Sequence, residues 1–288
     1  MKVIHALIVL ALMLTVITGC AKKQESVPAA QPAKIIATAA YEKSFGPAPT
    51  ADKGTAYAFV IYFSSAKEPS KLVPFPFFTF DEASLKKVAI ERLLIGMDIG
   101  SYKGEFLNMP LGTRIVSLNE EKGDVTLTLS KEFSKGGKDG SVVFFAGAIA
   151  TTLSQFKGVS AVHILIEGNK SQLNSKVDES TIMTPGSPRL LSVTAMRDKG
   201  AKNIEEVNAF FDRPVDVKEL KLLSNEGQQF SGELFHSVFD MAAVLKPKDA
   251  SQFKEGMPIQ VRWKVVDKLG RLSEGNSIWP LEVKTHEK

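Results

Sequence analysis

The sequence predicts an α+β protein in which a small α/β domain is followed by an all-β sandwich. Three observations support this class. Strand and helix patterns alternate between residues 55 and 170, a polar stretch at 171–188 ends in Pro185-Gly186-Ser187-Pro188, and only short strand patterns follow. Several short strands separated by turns are typical of a sandwich. We therefore expect domains at 55–170 and 189–288, with 171–188 as the linker.

Composition excludes several protein classes before any motif is considered. The 288 residues carry a formal charge of +4 and are 44% hydrophobic and 24% charged, as in ordinary folded proteins. A wholly disordered chain, a collagen and a multi-span membrane protein are excluded. The single cysteine allows no internal disulfide, and the four histidines lie far apart. No metal or cofactor is predicted, and the mild positive charge does not indicate nucleic-acid binding.

The amino terminus has the pattern of an export signal. Residues 3–17 form an apolar run after Met1-Lys2, and this run is shorter than the roughly 20 residues of a membrane span. The next motif, Ile17-Thr18-Gly19-Cys20, resembles the lipobox of bacterial lipoproteins. The resemblance implies a signal peptide at 1–19 and acylation, with palmitate-type chains, of the Cys20 sulfur. An ordinary signal peptide with a stray cysteine is the alternative.

A lipid on Cys20 would hold the protein on a membrane without crossing it. Residue 21 is Ala rather than the Asp that resembles an inner-membrane retention signal. The expected location is the outer membrane if the host is Gram-negative and the cell membrane otherwise. Residues 20–54 are rich in Ala, Pro and Lys, which predicts a flexible tether.

The first domain is predicted from its hydrophobic periodicity. Thr79 and Glu82 have the spacing of a capping box, which predicts a helix that ends at Gly96. A glycine-rich loop at 136–140 precedes a second helix at 141–156. The predicted strands are 56–63, 72–78, 113–118, 125–129 and 159–167.

The second domain shows short strand patterns separated by turns. The clearest is 259–265, in which apolar and polar residues alternate. The predicted strands are 190–195, 207–211, 217–223, 259–265 and 279–283.

Several motifs of the first domain resemble the GerMN domain, a family named for a sporulation and germination protein. The motifs are Ile61-Tyr62-Phe63, Arg92-Leu93-Leu94-Ile95-Gly96, Pro110-Leu111-Gly112-Thr113, the strand 125–130 before Phe133, and residues 150–156 and 159–168. The resemblance implies a small α/β fold like ring-building motifs, an extracytoplasmic setting and no catalytic residues. One departure is Met97-Asp98-Ile99, where the family has proline.

The second domain resembles the immunoglobulin-like domains of periplasmic copper-resistance proteins. The similarity lies in residues 261–271 with Gly275, and in Phe211-Asp212-Arg213-Pro214-Val215. Those metal-binding domains have a histidine where this chain has Arg271. The resemblance therefore implies the Ig-like sandwich without its metal.

Phe75, Phe77, Phe78 and Phe80 are the candidate binding residues, because they could form an exposed aromatic patch for an envelope partner. A pleated core strand is the alternative.

No catalytic residues are predicted elsewhere. His236, Ser237 and Asp240 are close in sequence but lack a nucleophile-elbow pattern. Asp98, Glu105 and Asp139 do not have the spacing of a glycosidase pair.

These observations predict a lipid-anchored, non-catalytic binding or scaffold protein of the bacterial cell envelope. The GerMN resemblance implies a role in sporulation, germination or cell-wall-associated assembly. The expected partners are the membrane, through Cys20, and an envelope protein or cell-wall component. A cell-wall hydrolase and a ring-forming structural subunit are the two alternatives.

Overall fold

Strands are the most frequent regular elements of the fold. The computed structural model describes residues 33–51, 53–169, 172–174 and 177–286, and within them lie three α-helices and fifteen strands. The helices are α1 (Ala39–Phe45), α2 (Leu85–Ile95) and α3 (Ser141–Ser154). The strands of the amino-terminal part are β1 (Lys34–Ala37), β2 (Thr55–Ser64), β3 (Leu72–Thr79), β4 (Ile115–Glu121), β5 (Asp124–Leu129), β6 (Ala161–Ile166) and β7 (Gln172–Asn174). The strands of the β-sandwich are β8 (Leu190–Arg197), β9 (Glu206–Phe211), β10 (Val215–Leu223), β11 (Gly232–His236), β12 (Ala242–Pro247), β13 (Pro258–Asp267), β14 (Leu272–Pro280) and β15 (Glu282–Thr285).

Two small sheets and the three helices share one core in the amino-terminal part. One sheet has the order β1-β2-β3, and the other has the order β4-β5-β6-β7. β5 and β6 are parallel, so the chain crosses over between them through α3. The alternating burial of β5 and β6 turns Leu127 and Ile164 into the core, which explains their alternating sequence pattern.

Polar side chains at the end of α3 cover an open sheet edge. β1 pairs with β2 only as far as Ala58, so the later backbone groups of β2 need other partners. The Val60 N–H donates to Gln155 Oε1 (2.8 Å), and Gln155 Nε2 donates to the Val60 carbonyl (2.6 Å). The Tyr62 N–H donates to Thr152 Oγ1 (3.2 Å). A helix covering a strand edge in this way prevents the edge from pairing with another chain.

The carboxy-terminal part is a two-sheet sandwich with its own core. One sheet has the order β10-β13-β14, and the other has the order β11-β12-β9-β8-β15. Val193 and Ala209 from one sheet meet Leu222 and Val261 from the other in this core. The predicted α+β class, with an α/β part followed by an all-β sandwich, is confirmed.

Several predicted boundaries need correction. The tether prediction was wrong for residues 34–45, because β1 pairs with β2 and α1 packs its Tyr41 and Phe45 into the core. The predicted linker contains β7, which pairs with β6. The last predicted strand, 279–283, is divided between β14 and β15.

The predicted capping box is also wrong. β3 extends through Thr79, which pairs with Tyr57, and α2 begins six residues later at Leu85. The Thr79 hydroxyl accepts a hydrogen bond from the Asp81 N–H at 3.1 Å, so it closes a turn rather than a helix end. The predicted helix stop is confirmed, since Gly96 follows α2 with φ 85°.

Within the part of the chain that the structure describes, every helix is too short or too polar to cross a bilayer.

Candidate functional site

The four phenylalanines of the predicted patch do not form one exposed surface. Phe75 is only 4% exposed and packs edge-on against Tyr102, with ring centroids 4.9 Å apart. Phe77 packs against Phe59 at 5.3 Å. The patch prediction is therefore wrong for Phe75. This face of β3 packs into the core, as in the alternative prediction of a pleated core strand.

The opposite face of β3 meets the β-sandwich. Phe78 stacks on Phe239 with ring centroids 4.5 Å apart and an interplanar angle of 10°. Phe80, which is 57% exposed, lies 5.5 Å from the same ring. Phe239 has φ 65°, an unusual conformation for a bulky residue. The aromatic side chains of this face thus serve a contact between two parts of the chain.

A buried hydrogen-bond cluster centred on Asp212 joins the same two parts. The Tyr102 hydroxyl donates to Asp212 Oδ2 at 2.7 Å, and the Arg189 N–H donates to Oδ1 at 3.0 Å. Arg213 donates to both carboxylate oxygens, at 3.0 and 2.9 Å. Burial, followed by the charge of Asp212, raises the pKa of Tyr102, so its hydroxyl stays protonated as the donor. Asp212 therefore has four donors and no remaining need for a ligand.

Arg189 adds an ion pair at the rim of this cluster. Its guanidinium donates to Glu105 at 3.0 to 3.1 Å and to the Ser101 carbonyl at 2.6 Å. It also lies over the ring of Tyr102, 4.1 Å from the centroid. Glu105, one of the carboxylates considered for catalysis, thus forms a structural ion pair.

Arg271, which the sequence resemblance predicts not to be a metal ligand, lies in the turn between β13 and β14. Its Nε donates to Asp267 Oδ2 at 2.6 Å, while its Nη atoms donate to the carbonyls of Pro185 (2.8 Å) and Ser44 (3.0 Å). A guanidinium offers several donors and no acceptor, so it cannot replace imidazole as a metal ligand. Here it fastens the sandwich to α1 and to the predicted linker. We call the contacts of Tyr102, Arg189, Asp212, Arg213, Phe239, Asp267 and Arg271 the joint.

A cavity of about 390 Å³ lies beside the joint, between α1, α3 and the sandwich. Tyr62 and Arg271 line it. Burial, followed by the charge of Glu179, raises the pKa of Tyr62 to about 12.

The other predicted or excluded site residues are dispersed. Cys20 lies outside the described residues. The Ser237 hydroxyl accepts a hydrogen bond from the Ala242 N–H at 2.7 Å, and Asp240 pairs with Lys268 at 3.2 Å. Asp98 accepts a hydrogen bond from the Gly104 N–H at 2.7 Å. The glycine-rich segment continues a 3-10 helix, Lys131–Asp139.

A groove of about 1100 Å³ between α2 and β4 is the surface most suited to binding. β4 is an edge strand that pairs only with β5, and its register with β5 shifts at Val116. Ile95 is 72% exposed and Val116 is 46% exposed, and both line the groove. Lys86 on α2 forms an ion pair with Glu120 on β4 at 2.9 Å.

Charged residues of both signs line the groove together with apolar residues. Its basic members are Lys86, Lys87, Arg114 and Lys157, and its acidic members are Glu82, Glu91 and Glu120. Several of these charges already pair with one another, as Lys87 does with Glu91 at 3.7 Å. An apolar centre with a polar rim is the usual anatomy of a protein interface. The arrangement suits an amphipathic partner.

A comparison with family models identifies the family of the segment that contains this groove. The family described as "Germane: Sporulation and spore germination" matches residues 60–172. This segment is a Germane domain. The GerMN-like resemblance of the sequence is thereby confirmed. No curated protein matches the chain.

Solved structures of low identity are similar to the chain. The first GerMN domain of the sporulation protein GerM from Bacillus subtilis is 18% identical, with 42% of this chain and 95% of that chain covered and a TM-score of 0.32. The tandem GerMN domains of the same protein are 15% identical, with 61% and 58% covered and a TM-score of 0.33. CopC from Methylosinus trichosporium OB3b is 16% identical, with 34% and 89% covered and a TM-score of 0.23.

Sequence reasoning missed both the joint and the groove of the Germane domain. Asp212 and Arg213 are adjacent charged residues after a strand, and nothing in their spacing indicates burial. The groove depends on the distance between α2 and β4, which belong to segments 20 or more residues apart in the chain. Ile95, the last residue of α2, is exposed, and the sequence alone does not indicate that exposure.

Proposed function

We propose that this chain is a non-catalytic binding protein of the bacterial cell envelope, anchored by lipid at Cys20, whose Germane domain receives an envelope partner in the groove between α2 and β4. The observation that carries the proposal is the groove, where exposed apolar side chains border an edge strand. The family description supports a setting in sporulation or spore germination.

The proposal of a non-catalytic role is supported by the structural hydrogen bonds and ion pairs of the polar side chains that were considered for catalysis. Two of the three carboxylates considered for a glycosidase pair, Asp98 and Glu105, are occupied by structural contacts. Ser237 is likewise bonded to backbone groups. The groove itself contains lysines, glutamates and apolar residues but no serine–histidine pairing among its lining.

Site-specific photocrosslinking in intact cells tests the groove. A photoreactive amino acid at position 95 should give a crosslinked product with an envelope component, because Ile95 is exposed at the groove. The matched control is position 143, because Val143 is 68% exposed on another helix outside the groove. Val116→Asp should remove the product obtained from position 95. Identical products from positions 95 and 143 would show that the groove has no special role.

The anchor has a separate test. Mass spectrometry of the native chain should show an amino-terminal Cys20 bearing diacylglyceryl, and Cys20→Ser should move the chain out of the membrane fraction. A native chain with an unmodified thiol or an intact leader would remove the anchor while leaving the groove to be judged by crosslinking. The ring-forming alternative stays a prediction, which light scattering at high protein concentration tests.

A further inference from the structure

Three potential metal ligands converge at one end of the larger sheet of the β-sandwich, far in sequence from the groove. One ligand atom from each of Asp198, Glu205 and His286 lies within 4.8 Å of the other two. His286 Nε2 lies 3.9 Å from Glu205 Oε2. These residue types are the nitrogen and oxygen ligands of zinc sites.

Backbone pairing brings the three residues together. Asp198 follows β8 and Glu205 precedes β9, so both lie in the connection between two antiparallel neighbours. β15 runs parallel to β8, and the His286 N–H donates to the Arg197 carbonyl at 3.0 Å. The Glu205 N–H donates to the Met196 carbonyl at 2.8 Å. The ligands are thus held next to the ends of three strands of one sheet.

The two carboxylates of the cluster form no ion pair with a lysine or an arginine. Among the described residues, neither Asp198 nor Glu205 has a lysine or arginine nitrogen within 4.0 Å. Two carboxylates held this close repel each other, and the half-exposed imidazole of His286 lies beside Glu205. The two acidic groups are therefore placed together with an imidazole, in an arrangement that a bound cation would stabilise.

We infer that Asp198, Glu205 and His286 form a zinc-binding site. Zinc accepts imidazole nitrogen at about 2.0–2.1 Å and carboxylate oxygen at about 2.0–2.2 Å, which places two ligand atoms of a tetrahedral site about 3.4 Å apart. The exposed side chains can close from 4.8 Å to this spacing by rotation. Imidazole favours zinc over calcium and magnesium, which prefer oxygen ligands throughout. A fourth position remains for water or a donor from a partner.

Zinc titration of the full chain tests the site directly. The chain is purified without a histidine tag, in a Cys20→Ser background that removes the only thiol of the sequence. Isothermal titration with zinc chloride should show one ion per chain. His286→Ala and Asp198→Asn should each weaken binding at least about tenfold, since even the loss of an outer-shell partner costs about 10–100-fold.

The matched control is His236→Ala, because His236 is also an exposed histidine of the β-sandwich and lies outside the cluster. It should bind zinc as the parent does. Zinc should also raise the melting temperature of the parent and the control but not of His286→Ala. Zinc binding unchanged in His286→Ala, or equal binding of calcium, would overturn the proposal. An absence of binding by the parent would overturn it as well.

Discussion

Removing one hydroxyl from the joint should measure how strongly the amino-terminal part and the β-sandwich are coupled. Tyr102→Phe deletes the donor to Asp212, a bond of 2.7 Å in which both residues are buried. A hydrogen bond to a charged group contributes about 1.5–3 kcal/mol. We therefore expect the free energy of unfolding to fall by this amount, because Asp212 keeps its bonds to Arg189 and Arg213.

Tyr41→Phe is a matched control that should not lower the free energy of unfolding. Tyr41 is fully buried beside the same interface and packs against Phe78 at 5.6 Å. Its hydroxyl has no hydrogen-bond partner among the described residues. Burying an unpaired polar group is unfavourable, so removing this hydroxyl should leave stability unchanged or raise it by about 1 kcal/mol.

Denaturant unfolding of both variants, followed by fluorescence and circular dichroism, measures the two effects. The reasoning requires that Tyr102→Phe be less stable than Tyr41→Phe by at least about 1.5 kcal/mol. Equal stabilities would show that the Tyr102–Asp212 bond contributes nothing beyond packing. Separate unfolding transitions in Tyr102→Phe alone would show that this bond couples the two parts of the chain.

Two further predictions concern a tight contact and a titration. Gly100 has φ 52°, and a Cβ there would overlap the Leu191 carbonyl, whereas Gly158, with φ 91°, has open space around it. Gly100→Ala should therefore lower the melting temperature much more than Gly158→Ala. Equal shifts in melting temperature would contradict the close contact between Gly100 and Leu191. The raised Tyr62 pKa of about 12 means that the unfolded chain loses the proton first, near pH 10. The contribution of Tyr62 to stability should therefore be fully present below pH 10 and decline by up to about 1.4 kcal/mol per pH unit toward pH 12. In alkaline denaturation, Tyr62→Phe should reduce this slope, and an unchanged slope would refute the assignment.

The sequence predicted most of the elements that have a strong hydrophobic period. β5 and β6 alternate their apolar residues because one face of each enters the core, so their positions follow from the pattern alone. α3 was recognised from its apolar residues at helical spacing, although the consecutive residues 148–153 are all buried. The strands that were missed lack this signal. β14 alternates exposed with half-buried residues, and β1 has only four residues.

The candidate site was predictable only in part, because its residues act through tertiary contacts. The aromatic run of β3 was recognised as important, yet the sequence does not reveal that Phe75 faces the core while Phe78 faces Phe239. Alternation along a strand distinguishes two faces but does not say what covers each one. The zinc-ligand cluster was missed because Asp198 and His286 meet only through the parallel pairing of β8 with β15.

Arg271 shows how the joint holds the β-sandwich beside the amino-terminal part of the chain. It donates to Asp267 and to two backbone carbonyls outside the sandwich. A side chain without these donors would leave the Ser44 and Pro185 carbonyls without that partner, and a buried unpaired acceptor is costly. Arg271 therefore fixes the sandwich beside α1, and the groove between α2 and β4 lies outside this contact.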